Sequence, residues 1–243
     1  MAVGRLFLKD YALSSNLLEM PIKMEDPVYG LKDPIYRDYM TPGTILSIAF
    51  LSAIPLTAMI LVVERRNGLI ERSIVAGTSY FGIMVSVLLP QVVILFVSSF
   101  VLMICVFFFF GISFHGEFFL IMMLTFMQSI CGMCFGLLIS TVANDENTAT
   151  MLALGFFYPN LLLSGTVWPV EGMHWLIQDF ANYLPQTMAI NSMRHMIARG
   201  WGLGHLEVIC GFAATVSWIG VFIVEPRNRL IKPFVYTPTP FLL

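Results

Sequence analysis

Few residues in this sequence have the types and spacing that support chemistry, and its cysteines come first. Cys131 and Cys134 have the Cys-x-x-Cys spacing of thiol redox motifs. A reactive thiol of that kind needs an electropositive, partly wet helix start, whereas this pair lies inside an uncharged apolar tract. We therefore interpret both cysteines as small packing residues. The sequence predicts no catalytic residue and no metal site.

A second stretch, "VVERRNGLIERSIVAG", combines charges of both signs, and its chemistry would be ionic docking. This charged segment (62–77) turns at Asn67 and Gly68, and its apolar residues Leu69, Ile70 and Ile74 are spaced to form one edge of a short helix. A surface for a cytosolic partner would have this character. A solvated loop that follows the positive-inside rule is the alternative. Its candidate docking residues are Glu64, Arg65, Arg66, Gly68, Glu71 and Arg72.

Nucleotide chemistry requires a phosphate-binding loop, and the sequence has none. A G-x-x-x-x-G-K-[ST] motif places its lysine after a glycine-rich turn, and no lysine here follows such a turn. The net charge of −2 and the absence of a basic cluster also argue against a nucleic-acid partner. The chain itself is therefore predicted to hold no cofactor.

The elements that must position these residues are membrane helices. Only 12% of the residues are charged, about half the share in soluble domains, and five long tracts carry no charge. Tracts of about 17 to 25 apolar residues are long enough to span the hydrocarbon core as helices. We predict an all-α integral membrane protein with five transmembrane helices, at 45–63, 81–110, 118–143, 148–170 and 208–224.

Basic residues in the connecting segments predict the orientation. Segment 64–80 and the tail together hold six Lys and Arg, whereas 171–207 holds two, so the first two are predicted to be cytoplasmic. This divides the chain into an extracellular polar segment (1–43), a transmembrane domain (44–224) and a cytoplasmic tail (225–243). The five basic residues of 1–43 oppose this placement. We expect a longer natural chain with another span upstream; a reversed orientation is the alternative.

The fourth tract is interrupted by Trp168 and Pro169, and the residues beyond them are too polar to span. Proline lacks an N–H and clashes with a continuing helix, so we predict that Pro169 ends the span. After it, apolar residues recur at helical spacing from Met173 to Leu184, and a second amphipathic stretch runs to Gly200. The pattern predicts an external re-entrant or amphipathic helical hairpin at the outer interface.

Two features within the spans bear on packing and mechanism. Gly132 and Gly136 offer a small face for close helix contact. No ionisable side chain lies in the middle of any predicted span, which disfavours an ion-coupled carrier, because such carriers usually bury one.

Two stretches together resemble the membrane half of ABC exporters, most closely the White-like G subfamily and the related H subfamily. They are the charged segment and "LSGTVWPVEGM…LPQTMAINSMRHMIARGWG". The resemblance covers residues 24 to 224. It implies that the charged segment is the family's elbow, which contacts the ATP-binding domain. The family has six spans and this sequence has five, so the first family span is the missing one.

The resemblance also implies positions for a transport pathway. Aligning Glu64 and Ser164-Gly165 with the family places four residues beside a cavity on a dimer axis: Ala49, Ser52, Phe157 and Leu161. Thr166 and Val167 then fall at an exit constriction. These are apolar or small residues, as cavity linings mostly are; lipid-facing or packing positions are the alternative.

The sequence is therefore interpreted as the permease part of an ATP-binding cassette exporter for an amphipathic or lipid-like substrate. The resemblance implies a homodimer or heterodimer in the plasma membrane, in contact with lipid. It further implies a nucleotide-binding domain, on the same longer polypeptide or separate, that holds ATP and Mg²⁺. The alternative is an ATP-independent scaffold, a scramblase or an inactive truncated remnant.

Overall fold

The computed structural model describes residues 36–109, 111 and 116–236, and their side chains except those of 80, 81, 109 and 225–236. Over these residues the chain forms eight α-helices and no strand, which confirms the predicted all-α class. Most of the predicted extracellular segment, part of the 111–117 loop and the end of the tail lie outside the described residues.

The helices follow one another with short connections. A π-helical turn, Cys105–Phe109, extends α3, and a 3₁₀ turn, Val170–Gly172, precedes α6. The helices are α1 (Tyr36–Arg66), α2 (Leu69–Val75), α3 (Tyr80–Ile104), α4 (Phe118–Val142), α5 (Glu146–Leu163), α6 (Trp175–Asn182), α7 (Thr187–Arg199) and α8 (Leu206–Tyr236).

Four helices in the described part of the chain are long and apolar enough to cross a membrane. They are Tyr36–Arg66, Gly82–Phe108, Phe118–Val142 and Leu206–Val224. The remaining predicted span also forms a helix, α5, but its 18 residues include Glu146, Asn147 and Asn160, so its composition is more polar than that of the four. The first span begins earlier than predicted, because residues 36–43 form the first two turns of α1.

The end of α5 differs from the prediction. The helix stops at Leu163 rather than at Pro169. The Ser164 hydroxyl donates to the Leu161 carbonyl over 3.2 Å, and Gly165 adopts a φ of +82°, which favours glycine and ends the helix. Trp168 and Pro169 therefore follow the terminus and do not cause it.

Successive long helices run in opposite directions, which gives the bundle two distinct ends. One apolar cluster joins the start of α1 and of α4 to α7, and we call this the hairpin end. A second cluster joins the other end of α1 and of α4 to the start of α5, beside the charged segment, and we call this the charged end. The 64–80 connection and the short connection between α4 and α5 lie together at the charged end, where Val62 clusters with Ala143 and Ala149.

The close contact predicted for Gly132 and Gly136 is confirmed. Both glycines of α4 face the backbone of α1, and a Cβ added at Gly136 would lie 2.6 Å from the Ile54 carbonyl oxygen. A Cβ at Gly132 would likewise collide with the Phe50 carbonyl oxygen. The two helices therefore pack at a distance that only glycine permits, as in membrane helix pairs with small interfacial residues.

Buried amide side chains connect helices elsewhere in the bundle, and the sequence analysis did not identify them. Thr57 of α1 donates its hydroxyl to the Gln91 side-chain carbonyl of α3 over 2.6 Å. Ser47 of α1 reaches the Gln186 side-chain carbonyl, just before α7, over 3.3 Å. Hydrogen bonds of this kind stabilise membrane bundles by about 0.6 kcal/mol each on average.

The predicted hairpin is present as α6 and α7, and the two helices have different surroundings. The apolar face of α7, including Met193 and Met196, is buried in the cluster at the hairpin end. The aromatic residues Trp175, Phe180 and Tyr183 on and after α6 are exposed. Thus α7 is part of the bundle core, whereas the aromatic surface of α6 is exposed in the part of the chain that the structure describes.

Candidate functional site

The charged segment forms a helix–turn–helix that continues α1. Gly68 occupies the turn with a φ of +66°, a left-handed conformation that favours glycine. The short helix α2 then begins at Leu69, and Ile70 is its one buried residue. Gly68 directly precedes the helix, and no side-chain cap is present there. The apolar anchor at Ile70 leaves the charged side chains facing outward.

The six predicted docking residues are brought together at the charged end. Glu64 is half-buried and lines a cavity of about 270 Å³ with Ile70, Ser73 and Ile83. Arg65, Arg66, Glu71 and Arg72 are exposed, and in the described part of the chain no ion pair joins charges of this segment. Exposed, unpaired charges of both signs could form ion pairs with another protein.

The connection between α4 and α5 lies beside the charged segment. Asp145 caps α5 by accepting from the Thr148 backbone N–H over 3.1 Å and from its hydroxyl over 2.8 Å. These hydrogen bonds lower the pKa of the Asp145 carboxyl, and the positive charge of Arg66 lowers it further. Val62 of α1 packs in one cluster with Ala143 and Ala149, so the two connections lie side by side.

The four predicted cavity residues lie on α1 and α5, which pack against each other. Ala49 and Phe157 are buried within the chain, Leu161 is half-buried and Ser52 is exposed. On the outer side of the same two helices the exposed residues are mostly apolar, and they include Ile48, Met151, Tyr158 and Leu162.

The predicted constriction residues belong to the turn that follows α5. Thr166 is buried, lies 3.0 Å from the Ser164 hydroxyl and packs against Gly43 of α1, where an added Cβ would lie 2.9 Å from the Thr166 Cα. Val167 is half-buried. The 164–169 turn is therefore held directly against the start of α1.

Three side chains that the sequence analysis did not select fasten this turn. The Arg194 guanidinium of α7 donates to the Gly165 carbonyl over 3.0 Å and lies over the Tyr39 ring, 4.1 Å from its centroid. Tyr39 donates to the same carbonyl over 3.3 Å, and Tyr36 donates to the Val167 carbonyl. We call these residues and the turn the Arg194 clasp.

The clasp holds a cation in partly dry surroundings. Burial lowers the pKa of Arg194, and the neighbouring Tyr39 and Glu171 oppose that shift, so the guanidinium stays charged at neutral pH. A signal for it existed in the sequence, because Arg194 is one of only two Lys or Arg residues between Pro169 and Leu206. Its partners were missed because Tyr36 and Tyr39 were assigned to the extracellular polar segment and not to a helix.

Comparison with known proteins identifies the family. The family described as "ABC-2 type transporter" matches residues 9–198. The chain is 32% identical over 212 residues to "ABC transporter G family member 20" of Dictyostelium discoideum, an alignment that covers 86% of this chain and 29% of that protein. It is 24% identical over 195 residues to "ABC transporter G family member 23" of the same organism, covering 79% and 27%.

The alignment with a bacterial relative covers a larger share of that relative's length. "Probable multidrug ABC transporter permease YbhS" of Escherichia coli (strain K12) is 22% identical over 201 residues, which is 81% of this chain and 53% of that protein. The chain thus spans less than a third of the two Dictyostelium relatives and about half of the bacterial one. This chain is a multi-pass membrane protein that belongs to the ABC-2 type transporter family, as a permease similar to those of the G subfamily.

Proposed function

We propose that this chain forms the transmembrane pathway of an exporter driven by ATP, which a separate domain binds with Mg²⁺ and hydrolyses. The observation that supports this most is the position of the charged segment, whose exposed charges form no ion pair within the described residues. Arg65 and Arg66 lie in the last turn of α1, and the Arg194 clasp contacts the start of α1 through Tyr36 and Tyr39. The 31 residues of α1 span about 46 Å, so one continuous helix connects the proposed docking surface with the proposed exit.

The proposed orientation places the charged end in the cytoplasm. Six basic residues of the charged segment and the tail are assigned to that side, against two in 171–207. The ATPase domain would bind there, with Arg65, Arg66 and Arg72 facing acidic groups and Glu71 facing a basic one. The hairpin end would face outward, with Thr166 and Val167 at the exit constriction, and the plasma membrane is the proposed location.

A second membrane domain is part of the proposal. The apolar outer side of α1 and α5 carries Ile48 and Tyr158, exposed by 47% and 58%. A copy of this chain, or a related one, would cover this side and enclose a cavity that Ser52 and Leu161 would line. An apolar cavity with a few hydroxyl groups suits an amphipathic or lipid-like substrate.

The test is ATP-dependent transport by the transporter assembled with its ATPase domain in vesicles. The variant Glu64→Lys/Arg72→Glu reverses two charges of the docking surface and should abolish transport while basal ATP hydrolysis continues. Glu117→Lys/Arg199→Glu reverses two exposed charges at the hairpin end and serves as the matched control. Equal transport by the two double variants, at equal amounts in the membrane, would contradict the proposal.

A further inference from the structure

A groove of about 430 Å³ lies between the α6–α7 corner and α8, and none of its lining residues belongs to the charged segment or to the Arg194 clasp. One part of its lining is polar and the other apolar. The residues that line it include Asp179, Asn182, Tyr183, Met188, Ala214 and Trp218.

The groove lies beside the middle of the last span and not beside its start. Helix α7 packs along α8, where the Ser192 hydroxyl donates to the Glu207 carbonyl over 2.6 Å and Met188 lies against Gly211. The corner then lies beside Ala214 and Trp218, which are eight and twelve residues into the apolar stretch Leu206–Val224. At 1.5 Å per residue, this is a depth of about 12 to 18 Å along the helix.

The surroundings of the groove are those of a lipid-facing surface. Val216 and Val221 of α8 are each 54% exposed, and the aromatic residues of α6 are exposed as well. Apolar side chains exposed on a helix of this length are the ones that lipid covers. A molecule that enters the groove would therefore approach from the bilayer.

Asp179 is the charged residue of this groove, and it lacks a protein counter-ion in the described structure. No Lys, Arg or His is among the residues that line the groove, and no ion pair involves Asp179 in the described part of the chain. A carboxylate beside hydrocarbon is costly unless a cation accompanies it, which makes such a residue a mark of function.

We propose that the groove binds an amphiphile with a cationic amine head group. The amine pairs with the Asp179 carboxylate, and the Asn182 amide and Tyr183 hydroxyl offer hydrogen bonds to the polar linkage next to it. The tail lies along Met188, Ala214 and Trp218. This deepens the proposed function by naming a substrate class, and the binding is measurable without transport, so either idea can fail alone.

The probe is the fluorescence of Trp218 in the protein reconstituted into nanodiscs. Trp168, Trp175 and Trp201 are replaced by phenylalanine, which leaves Trp218 as the one tryptophan. In a first arm, brominated acyl chains, which quench on contact, are carried by phosphatidylethanolamine or by phosphatidylglycerol. In a second arm, a brominated alkylammonium ion is added to unbrominated phosphatidylglycerol discs. The arms separate a membrane lipid from a soluble amphiphile.

In at least one arm, the amine-bearing probe should quench Trp218 of the parent protein with an apparent affinity about two- to fivefold higher than it shows for Asp179→Asn. This factor is the one expected for the loss of one partly exposed ion pair. The matched control Glu117→Gln removes an exposed carboxylate that does not line the groove and should leave quenching unchanged. Quenching that is the same in the parent and in Asp179→Asn in both arms would overturn the proposal.

Discussion

Replacing Arg194 with glutamine should release the 164–169 turn from α1 and α7. The substitution removes the guanidinium that donates to the Gly165 carbonyl over 3.0 Å and lies 4.1 Å from the centre of the Tyr39 ring. A glutamine is too short and uncharged to make both contacts. The Tyr36 and Tyr39 hydrogen bonds to the turn remain, so the turn should open more often without unfolding the bundle.

The size of the effect follows from the two contacts that are lost. A hydrogen bond from a charged donor contributes about 1.5 to 3 kcal/mol, and a cation–π contact contributes about 0.5 to 1 kcal/mol at a partly exposed site. Their sum is about 2 to 4 kcal/mol. If the turn opens locally, this corresponds to a rise of about 30- to 1000-fold in the opened fraction.

The assay is the rate at which a thiol at position 166 reacts with a maleimide. Thr166 is 2% exposed, so a cysteine there reacts when the turn opens. Cys105 and Cys210, the cysteines that are not buried, are first replaced by alanine. Arg199→Gln is the matched control, because Arg199 is on the same helix and lies 4.7 Å from the Trp201 ring centre without contacting the turn. Equal labelling rates in the Arg194 and Arg199 variants would refute the reasoning.

Three further predictions concern packing, pH and orientation. Gly136→Ala adds a Cβ 2.6 Å from the Ile54 carbonyl oxygen and should lower the free energy of unfolding by about 1 to 3 kcal/mol, which is measured as a lower melting temperature. The control Gly155→Ala, which has open space around it, should have little effect. Burial lowers the pKa of His195, and the negative charge of Glu207 opposes that shift. Because the unfolded chain therefore takes up this proton at a higher pH than the folded chain, stability should fall as the pH drops below about 6.5. The difference between the melting temperatures at pH 5 and pH 7.5 should be smaller for His195→Gln than for the parent. Cysteines at Asn144 and His174, both exposed, should react with an impermeant reagent from the cytoplasmic and the outer face respectively, and labelling of both from one face would contradict the orientation.

The helices and their order could be predicted because long uncharged tracts have few structural alternatives in a bilayer. The prediction for α5 was wrong at its end, since Pro169 was taken as the stop whereas Ser164 and Gly165 end the helix earlier. Residues that can terminate a helix occurred twice in a short stretch, and the first pair was decisive. Glycine conformations of this kind depend on what packs around the turn, here Val170 and α1.

The charged segment was also predictable, because a short turn fixes all six residues on one surface. The Arg194 clasp was not, since it joins residues that are up to 158 positions apart, from Tyr36 to Arg194, on helices whose contact no local pattern specifies. The same holds for the hydrogen bond between Ser47 and Gln186. Local periodicity predicts which face of a helix is apolar, but the partner across the bundle depends on the three-dimensional packing.

The central claim is that an ATPase domain binds at the charged end, and site-specific photocrosslinking tests it directly. A photoreactive amino acid replaces Glu71, an exposed residue of α2, in membranes that contain the ATPase domain. The same amino acid at Glu117, exposed at the hairpin end, is the control. The account predicts a crosslink to the ATPase domain from position 71 and none from position 117. A crosslink from position 117, or none from position 71 while the assembled transporter hydrolyses ATP, would contradict it.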